Sequence, residues 1–176
     1  IYTDLGNYER SISYHEQNLT IARELNNLSG EASALVNLGL AYDNSENYEQ
    51  AVDYIEQSIT VARRANARQI EATALVNLGD THSNLGNDEQ AICAYEQSLI
   101  LARTLGDRIR ETAALSGLGT IYNRLGNEEK ALTYHHQSLA LARESGFLSG
   151  EAIALSSIGF VHLHADRLAE GETYLT

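Results

Sequence analysis

Asn37-Leu38-Gly39 returns forty residues later as Asn77-Leu78-Gly79, and then in altered form as Gly117-Leu118-Gly119 and Ser157-Ile158-Gly159. A glutamate column keeps the same spacing, at Glu31, Glu71, Glu111 and Glu151. A column of Ala-Arg pairs keeps it as well, at Ala22-Arg23, Ala62-Arg63, Ala102-Arg103 and Ala142-Arg143. A fixed period of this length is typical of a solenoid, in which each unit packs only on its neighbours. The sequence therefore predicts an array of about four such units.

Each unit contains two segments with helical periodicity, separated by a short turn. In the unit 29–68, the first segment, helix A, is predicted over 31–44, and the second, helix B, is predicted over 48–65. Each segment carries one apolar face, so the two are expected to pack together as a pair. The apolar positions of helix A are Ala32, Leu35, Leu38, Gly39 and Tyr42, and those of helix B are Ala51, Val52, Ile55, Ile59 and Ala62.

The turn between the two helices has its clearest form at Leu85-Gly86-Asn87. Gly86 suits the left-handed conformation that ends many helices. Asn87 suits the N-cap of the next helix, where its side-chain oxygen would accept a hydrogen bond from a backbone N–H. In the unit before it, Ser45-Glu46 replaces Leu-Gly at the same place.

A glycine also recurs in the middle of helix A, where it costs about 1 kcal/mol relative to alanine. Four repetitions of that cost predict a packing reason, namely a close approach to the alanine column of helix B. The glycines are Gly39, Gly79, Gly119 and Gly159, and the alanines are Ala51, Ala91 and Ala131.

The composition excludes several classes of function. The 176 residues include 24 acidic and 12 basic ones, and the net charge of −12 repels nucleic acid and anionic membranes. Cys93 is the single cysteine, so an internal disulfide is excluded and a cysteine-based metal site is not expected. No apolar run approaches the ~20 residues that span a bilayer, and no secretory signal is recognisable. A cytoplasmic protein is predicted.

These columns resemble the tetratricopeptide repeat family, through Leu38-Gly39-x-x-Tyr42 followed by Ala51 and through Leu118-Gly119-x-x-Tyr122 followed by Ala131. The forty-residue length is similar to that of the Pins and LGN adaptors and of kinesin light chain. The resemblance implies an all-α, right-handed superhelical solenoid of antiparallel helix pairs. It divides the chain into a partial repeat 1–28, full repeats 29–68, 69–108 and 109–148, and a partial repeat 149–176.

The two ends of the sequence lack the pattern of a polar capping helix. Residues 1–4 match the end of a helix A, and residues 167–176 match only the start of a helix B, with Gly171 where alanine is expected. End-to-end self-association is therefore one expectation, and fraying of the ends is the other. Because position 1 is not methionine, we expect that the sequence either begins inside a larger protein or has lost its start.

In similar repeats helix A lines a concave face that binds peptides, so the resemblance assigns this face here. Asn37 and Asn77 would hold a peptide backbone, because an amide both donates and accepts hydrogen bonds; alternatively, they satisfy neighbouring helix groups. Arg124 would bind a ligand carboxylate or pair with an acid of its own chain, and Asp43 and Asp80 would recognise a Lys or Arg or stay solvated. The predicted binding residues are Val36, Asn37, Leu40, Asn44, Val76, Asn77, Asp80, Asn84, Ser116, Thr120, Asn123, Arg124 and Phe160, with Asp43, Ser83, Ser156, Leu163 and His164 on the same face.

No motif in the sequence carries catalytic or metal chemistry. The adjacent His135 and His136 point to different faces of one helix, and His82 and His162 occupy the column of Tyr42, which indicates packing. No phosphate-binding loop, nucleophile elbow or zinc-protease motif is present. We therefore predict a non-enzymatic module, without cofactor or metal, that binds a protein or peptide. The alternative is a structural spacer or oligomerisation element of a larger signalling protein.

Overall fold

The computed structural model describes residues 8–164, and in that range the chain forms eight α-helices and no strand. The predicted all-α repeat array is confirmed. Contacts divide the chain into two compact units, Ile1–Ala94 and Tyr95–Thr176. The end segments 1–7 and 165–176, including Gly171, lie outside the described residues. The B helices are α1 (Tyr8–Glu24), α3 (Tyr48–Arg64), α5 (Asp88–Leu105) and α7 (Glu128–Ser145), and the A helices are α2 (Leu28–Asn44), α4 (Arg68–Asn84), α6 (Arg108–Arg124) and α8 (Leu148–His164).

Helix A begins three residues earlier than its periodicity predicts, at Leu28 in α2. The reason is a cap that the apolar pattern does not include. The side chain of Asn27 accepts a hydrogen bond from the backbone N–H of Gly30 at 3.0 Å, and in α6 Asp107 accepts one from Arg110 at 3.1 Å. Each cap satisfies a backbone donor that the helix itself leaves without a partner.

The turn from helix A to helix B follows the predicted chemistry where glycine is present. Gly86 and Gly126 have φ angles of 76° and 73°, in the left-handed region, and Asn127 caps α7 by accepting a hydrogen bond from the Lys130 N–H at 3.1 Å. Glu46 takes the same conformation, with φ of 62°, although it has a side chain. Asn47 makes no capping bond there.

The first unit packs α2 against α1, α3 and α4. Its core contains Leu19, Leu35, Leu38 and Val61, which are all buried. Gly39 lies against helix α3 as predicted, but its closest side chain is Ile55, and the alanine column contributes the Ala51 carbonyl oxygen, 3.2 Å from the place of a Cβ. The glycine therefore admits a large apolar side chain of helix B.

The second unit packs α7 against α6 and α8. Here the partner of the glycine is a histidine: a Cβ on Gly119 would lie 2.6, 2.7 and 2.8 Å from three ring atoms of His135. The His135 ring is 1% exposed. The column of helix B that contains Ile55 thus contains His135 two repeats, or eighty residues, later, and both residues fill the space left by a glycine.

Two polar links recur between helices. A buried serine of helix B donates to a carbonyl of helix A, from Ser58 to Ala32 at 2.8 Å and from Ser138 to Thr112 at 3.2 Å. An arginine in the last turn of helix B pairs with the glutamate in the first turn of the next helix A, which joins neighbouring repeats. These pairs are Arg23–Glu31 at 2.8 Å, Arg63–Glu71 at 2.6 Å, Arg103–Glu111 at 2.9 Å and Arg143–Glu151 at 2.7 Å.

Candidate functional site

In the first unit, α2 presents three of its predicted binding residues to solvent. Asn37, Leu40 and Asn44 are exposed, and Leu40 keeps 37% of its surface accessible although it is apolar. Val36 differs, because only 6% of its surface is exposed and its side chain belongs to the core. The accessible face of α2 therefore combines two amides with one aliphatic side chain.

On α4, the matching face is less accessible to solvent than on α2. Asp80 and Asn84 are exposed, whereas Val76 and Asn77 are half-buried. The amide nitrogen of Asn77 is buried and has no hydrogen-bond partner within the described part of the chain. An unsatisfied buried donor costs about 1–3 kcal/mol. The amide nitrogen of Asn77 thus makes no hydrogen bond to a neighbouring helix within residues 8–164.

A contact between the two A helices joins these faces. The amide nitrogen of Asn84 lies 3.4 and 3.5 Å from the two carboxylate oxygens of Asp43. The last turns of α2 and α4 therefore lie side by side, in contact through residues 41 apart in the sequence. The repeat pattern predicts that both residues lie on this face, but it carries no signal for the bond between them.

In the second unit, helix α6 has Thr120 and Arg124 exposed to solvent, whereas Ser116 and Asn123 are half-buried. The Thr120 hydroxyl donates to the Ser116 carbonyl oxygen at 3.1 Å, so it is engaged with its own helix. On α8, Phe160 leaves 55% of its surface exposed. Ser156 is exposed, Leu163 is half-buried, and the His164 side chain lies outside the described residues.

Stacked tyrosines hold helix A to helix B near the ends of α2 and α6. The Tyr42 and Tyr54 rings are 5.3 Å apart and nearly parallel, and the Tyr122 and Tyr134 rings are 5.5 Å apart. Burial raises the pKa of Tyr42, and the neighbouring Tyr54 adds to the rise. Both pairs fix the last turns of helix A, where Asp43 and Asn123 lie, and a fixed surface loses little conformational freedom on binding.

Over residues 8–164, no group of three or more histidine, cysteine or acidic side chains could hold a metal ion. Burial and, to a smaller extent, the neighbouring His136 together lower the pKa of His135 to about 4. The Nδ1 atom of His135 has no hydrogen-bond partner among residues 8–164. The ring of His135 is therefore a neutral packing group. In the described residues, no helix is long and apolar enough to cross a membrane.

Comparison with known sequences finds one family. The family model for the tetratricopeptide repeat matches residues 1–64, 31–104, 70–144 and 110–176, so its overlapping matches reach from one end of the chain to the other. No curated protein sequence matches the chain.

Known structures share the arrangement of helices. BtubC (BKLC) from P. vanneervenii superposes with a TM-score of 0.85 at 18% identity, covering 98% of this chain and 72% of that one. The putative kinesin light chain TPR-like repeats of Podosopora anserina give 0.76 at 14% identity, covering 99% and 86%. NprR in complex with its cognate peptide NprX gives 0.73 at 19% identity, covering 96% of this chain and 48% of NprR. At these identities the likeness shows the fold.

Proposed function

Because the chain belongs to the tetratricopeptide repeat family, we propose that it is a non-enzymatic interaction module that binds a peptide segment, of a partner or of its own parent chain, on the exposed faces of its A helices. The observation that carries this proposal is the surface shared by α2 and α4. There, Asn37, Leu40 and Asn44 are exposed on one helix, and Asn84 reaches Asp43 from the next.

The chemistry of this surface suits a peptide backbone. An extended peptide offers N–H and C=O groups in alternation, and an asparagine side chain can donate to one and accept from the other. Asn37 and Asn44 lie on one exposed face of α2, and Asn84 extends that face on α4. Leu40 lies between the two amides of α2 and would cover an apolar side chain of the peptide.

The rigidity of the helices also favours binding. Gly39 packs against Ile55, and the Arg63–Glu71 pair fixes α4 on α3. A preorganised surface avoids much of the entropy cost of ordering side chains and loops on association. The structure of NprR in complex with its cognate peptide supports the proposal, since it is a related arrangement of helices with a peptide bound.

The test is a selection of random peptides on the purified chain, followed by binding measurements with the enriched peptides. Asn37→Ala is expected to weaken binding by about tenfold, which corresponds to one lost hydrogen bond of about 1.4 kcal/mol. Asn77→Ala is measured beside it. Asn18→Ala is the matched control, because Asn18 is exposed on the B helix α1.

Equal binding by Asn37→Ala and by the control would contradict the proposal that α2 holds the peptide. If no peptide is enriched although circular dichroism shows folded protein, the peptide-binding proposal is wrong. That outcome would favour the alternative function, a spacer or assembly element in a larger signalling protein.

A further inference from the structure

A cavity of about 330 Å³ lies along the first half of helix α7, within the second unit. Its volume is at the lower end of the range of small-molecule sites, about 300–1,000 Å³. Because α7 is a B helix, the cavity is separate from the faces of the A helices. Its lining combines an ammonium, two amides, two hydroxyl groups and a carboxylate, which belong to Lys130, Asn127, Gln137, Thr133, Tyr134 and Glu129.

Lys130 is the only lysine of the chain, and it lines this cavity. Its Nζ atom lies 4.6 Å from the centroid of the Tyr122 ring, and Tyr122 stacks on Tyr134. The ring attracts the cation, but it offers no carbonyl or carboxylate oxygen to the three N–H donors of an ammonium. Within residues 8–164, the ammonium has neither a hydrogen bond nor an ion pair. The tyrosine therefore fixes the position of a cation whose donors can bond a ligand.

The same positions of helix α3, two repeats earlier, are occupied by hydrogen bonds within the chain. The Asn47 amide donates to the side-chain oxygen of Gln50 at 2.8 Å. The Gln57 amide donates to the Asp53 carbonyl oxygen at 3.2 Å. These amides of α3 are thus already paired with neighbouring groups of their own helix.

In α7 the corresponding positions are more positive and less engaged. Lys130 replaces Gln50 and Thr133 replaces Asp53, so each replacement adds one positive charge relative to α3, two in all. Gln137 lies in the column of the bonded glutamine of α3, but its side chain makes no hydrogen bond to the described part of the chain. The repeat has therefore kept its helix here while exchanging internal hydrogen bonds for unused donors around a cavity.

We propose that this cavity binds a small molecule with a single carboxylate on an apolar body. The carboxylate accepts a hydrogen bond from the Lys130 ammonium, which is stronger than a bond between neutral groups. The apolar body lies on the Tyr134 ring, and the Gln137 amide is a donor for a further oxygen of the ligand. Glu129 lines the same cavity, so it repels a second negative charge and disfavours phosphates and dicarboxylates.

The experiment is a titration of the chain with 4-phenylbutanoate, followed by two-dimensional NMR of the backbone amides. The uncharged 4-phenylbutanamide is the matched probe, because it keeps the apolar body and lacks the carboxylate. We expect the acid to shift resonances of residues 127–137 at millimolar concentration. The amide is expected to bind about tenfold more weakly, because it lacks the charge-assisted hydrogen bond.

Two variants test the assignment of Lys130. Lys130→Gln places at this position the residue found in α3, so the helix is expected to form, and circular dichroism checks this. It is expected to bind the acid about tenfold more weakly. Arg64→Gln is the control, because Arg64 is exposed in α3 and its loss changes the net charge equally; its affinity for the acid is expected to equal that of the original chain.

Four results would overturn the inference. These are no shift of residues 127–137 by the acid, equal affinity for the acid and the amide, unchanged affinity in Lys130→Gln, and equal losses in Lys130→Gln and Arg64→Gln. The last of them would show an effect of net charge alone. None of these results bears on the peptide-binding function, which uses the A helices.

Discussion

Substitution of Gly119 by leucine measures how closely helix A approaches helix B. A Cβ at this position would lie 2.6–2.8 Å from the ring of His135, well inside ordinary contact distance. The ring is 1% exposed, so it cannot move into solvent. Overpacking of a core costs about 1–3 kcal/mol, and Gly→Leu recovers less than about 1 kcal/mol of helix propensity. With the larger side chain at the upper end of that range, we expect a net loss of about 2 kcal/mol.

Urea denaturation followed by circular dichroism gives the loss in the free energy of unfolding. The matched control is Thr120→Leu, one residue further along α6, where the side chain is exposed and the change is expected to stay within about 0.5 kcal/mol. A double-mutant cycle of Gly119→Ala with His135→Ala tests the contact itself. Alanine at position 135 removes the ring, so the methyl group added at position 119 should then destabilise the protein less. If Gly119→Leu lowers the free energy of unfolding no more than Thr120→Leu does, Gly119 is not needed for the close approach of α6 to α7, and the reasoning is wrong.

Two further predictions concern groups that pack in the core. His135 titrates near 6.5 in the unfolded chain and at about 4 in the folded one, so between these values the unfolded state binds the extra proton and stability falls as the pH falls, by up to about 1.4 kcal/mol per pH unit. His135→Ile places at position 135 the residue found at position 55, and it should remove this contribution to the loss of stability between about pH 7 and pH 5, as measured by urea midpoints. If the variant loses as much stability over this pH range as the original chain, the prediction is wrong. Ser58→Ala removes the hydrogen bond to the Ala32 carbonyl and should lower the free energy of unfolding by about 1 kcal/mol in urea denaturation. The control is Thr60→Ala, an exposed change in the same helix, which should lower it by less than about half of that. Equal losses in the two variants would contradict a stabilising role for the buried hydrogen bond.

The sequence predicts the helices because two independent signals coincide in it. The forty-residue period aligns the repeats, and the helical periodicity within each repeat assigns the pairs. The ends of the helices are predicted less accurately. The start at Leu28 depends on Asn27, which lies outside the apolar pattern that predicted 31–44. Glu46 shows that the left-handed turn forms without glycine, because the helices on both sides are fixed by tertiary packing.

The candidate surface is predicted only at the level of columns. A column identifies which residues share a face, but their accessibility depends on the neighbouring helices. Val36 and Asn37 are adjacent on the same predicted face, yet Val36 is buried and Asn37 is exposed. The Asp43–Asn84 contact joins different columns of successive repeats, so no repeat position taken alone indicates it.

The separation of packing and recognition has a physical basis in the helical repeat. Successive residues of a helix point about 100° apart, because the helix has 3.6 residues per turn. Leu40 therefore points about 100° away from both Gly39 and Ala41, and it is exposed although both of these neighbours are buried. The core positions keep small or apolar residues, because a change of one methylene is felt in a close-packed interior. The position of Leu40, Asp80, Thr120 and Phe160 is exposed in all four A helices, so the core does not constrain it in this way. If the A helices bind a peptide as proposed, the chemistry at this position, rather than the repeat itself, decides which peptide the chain holds.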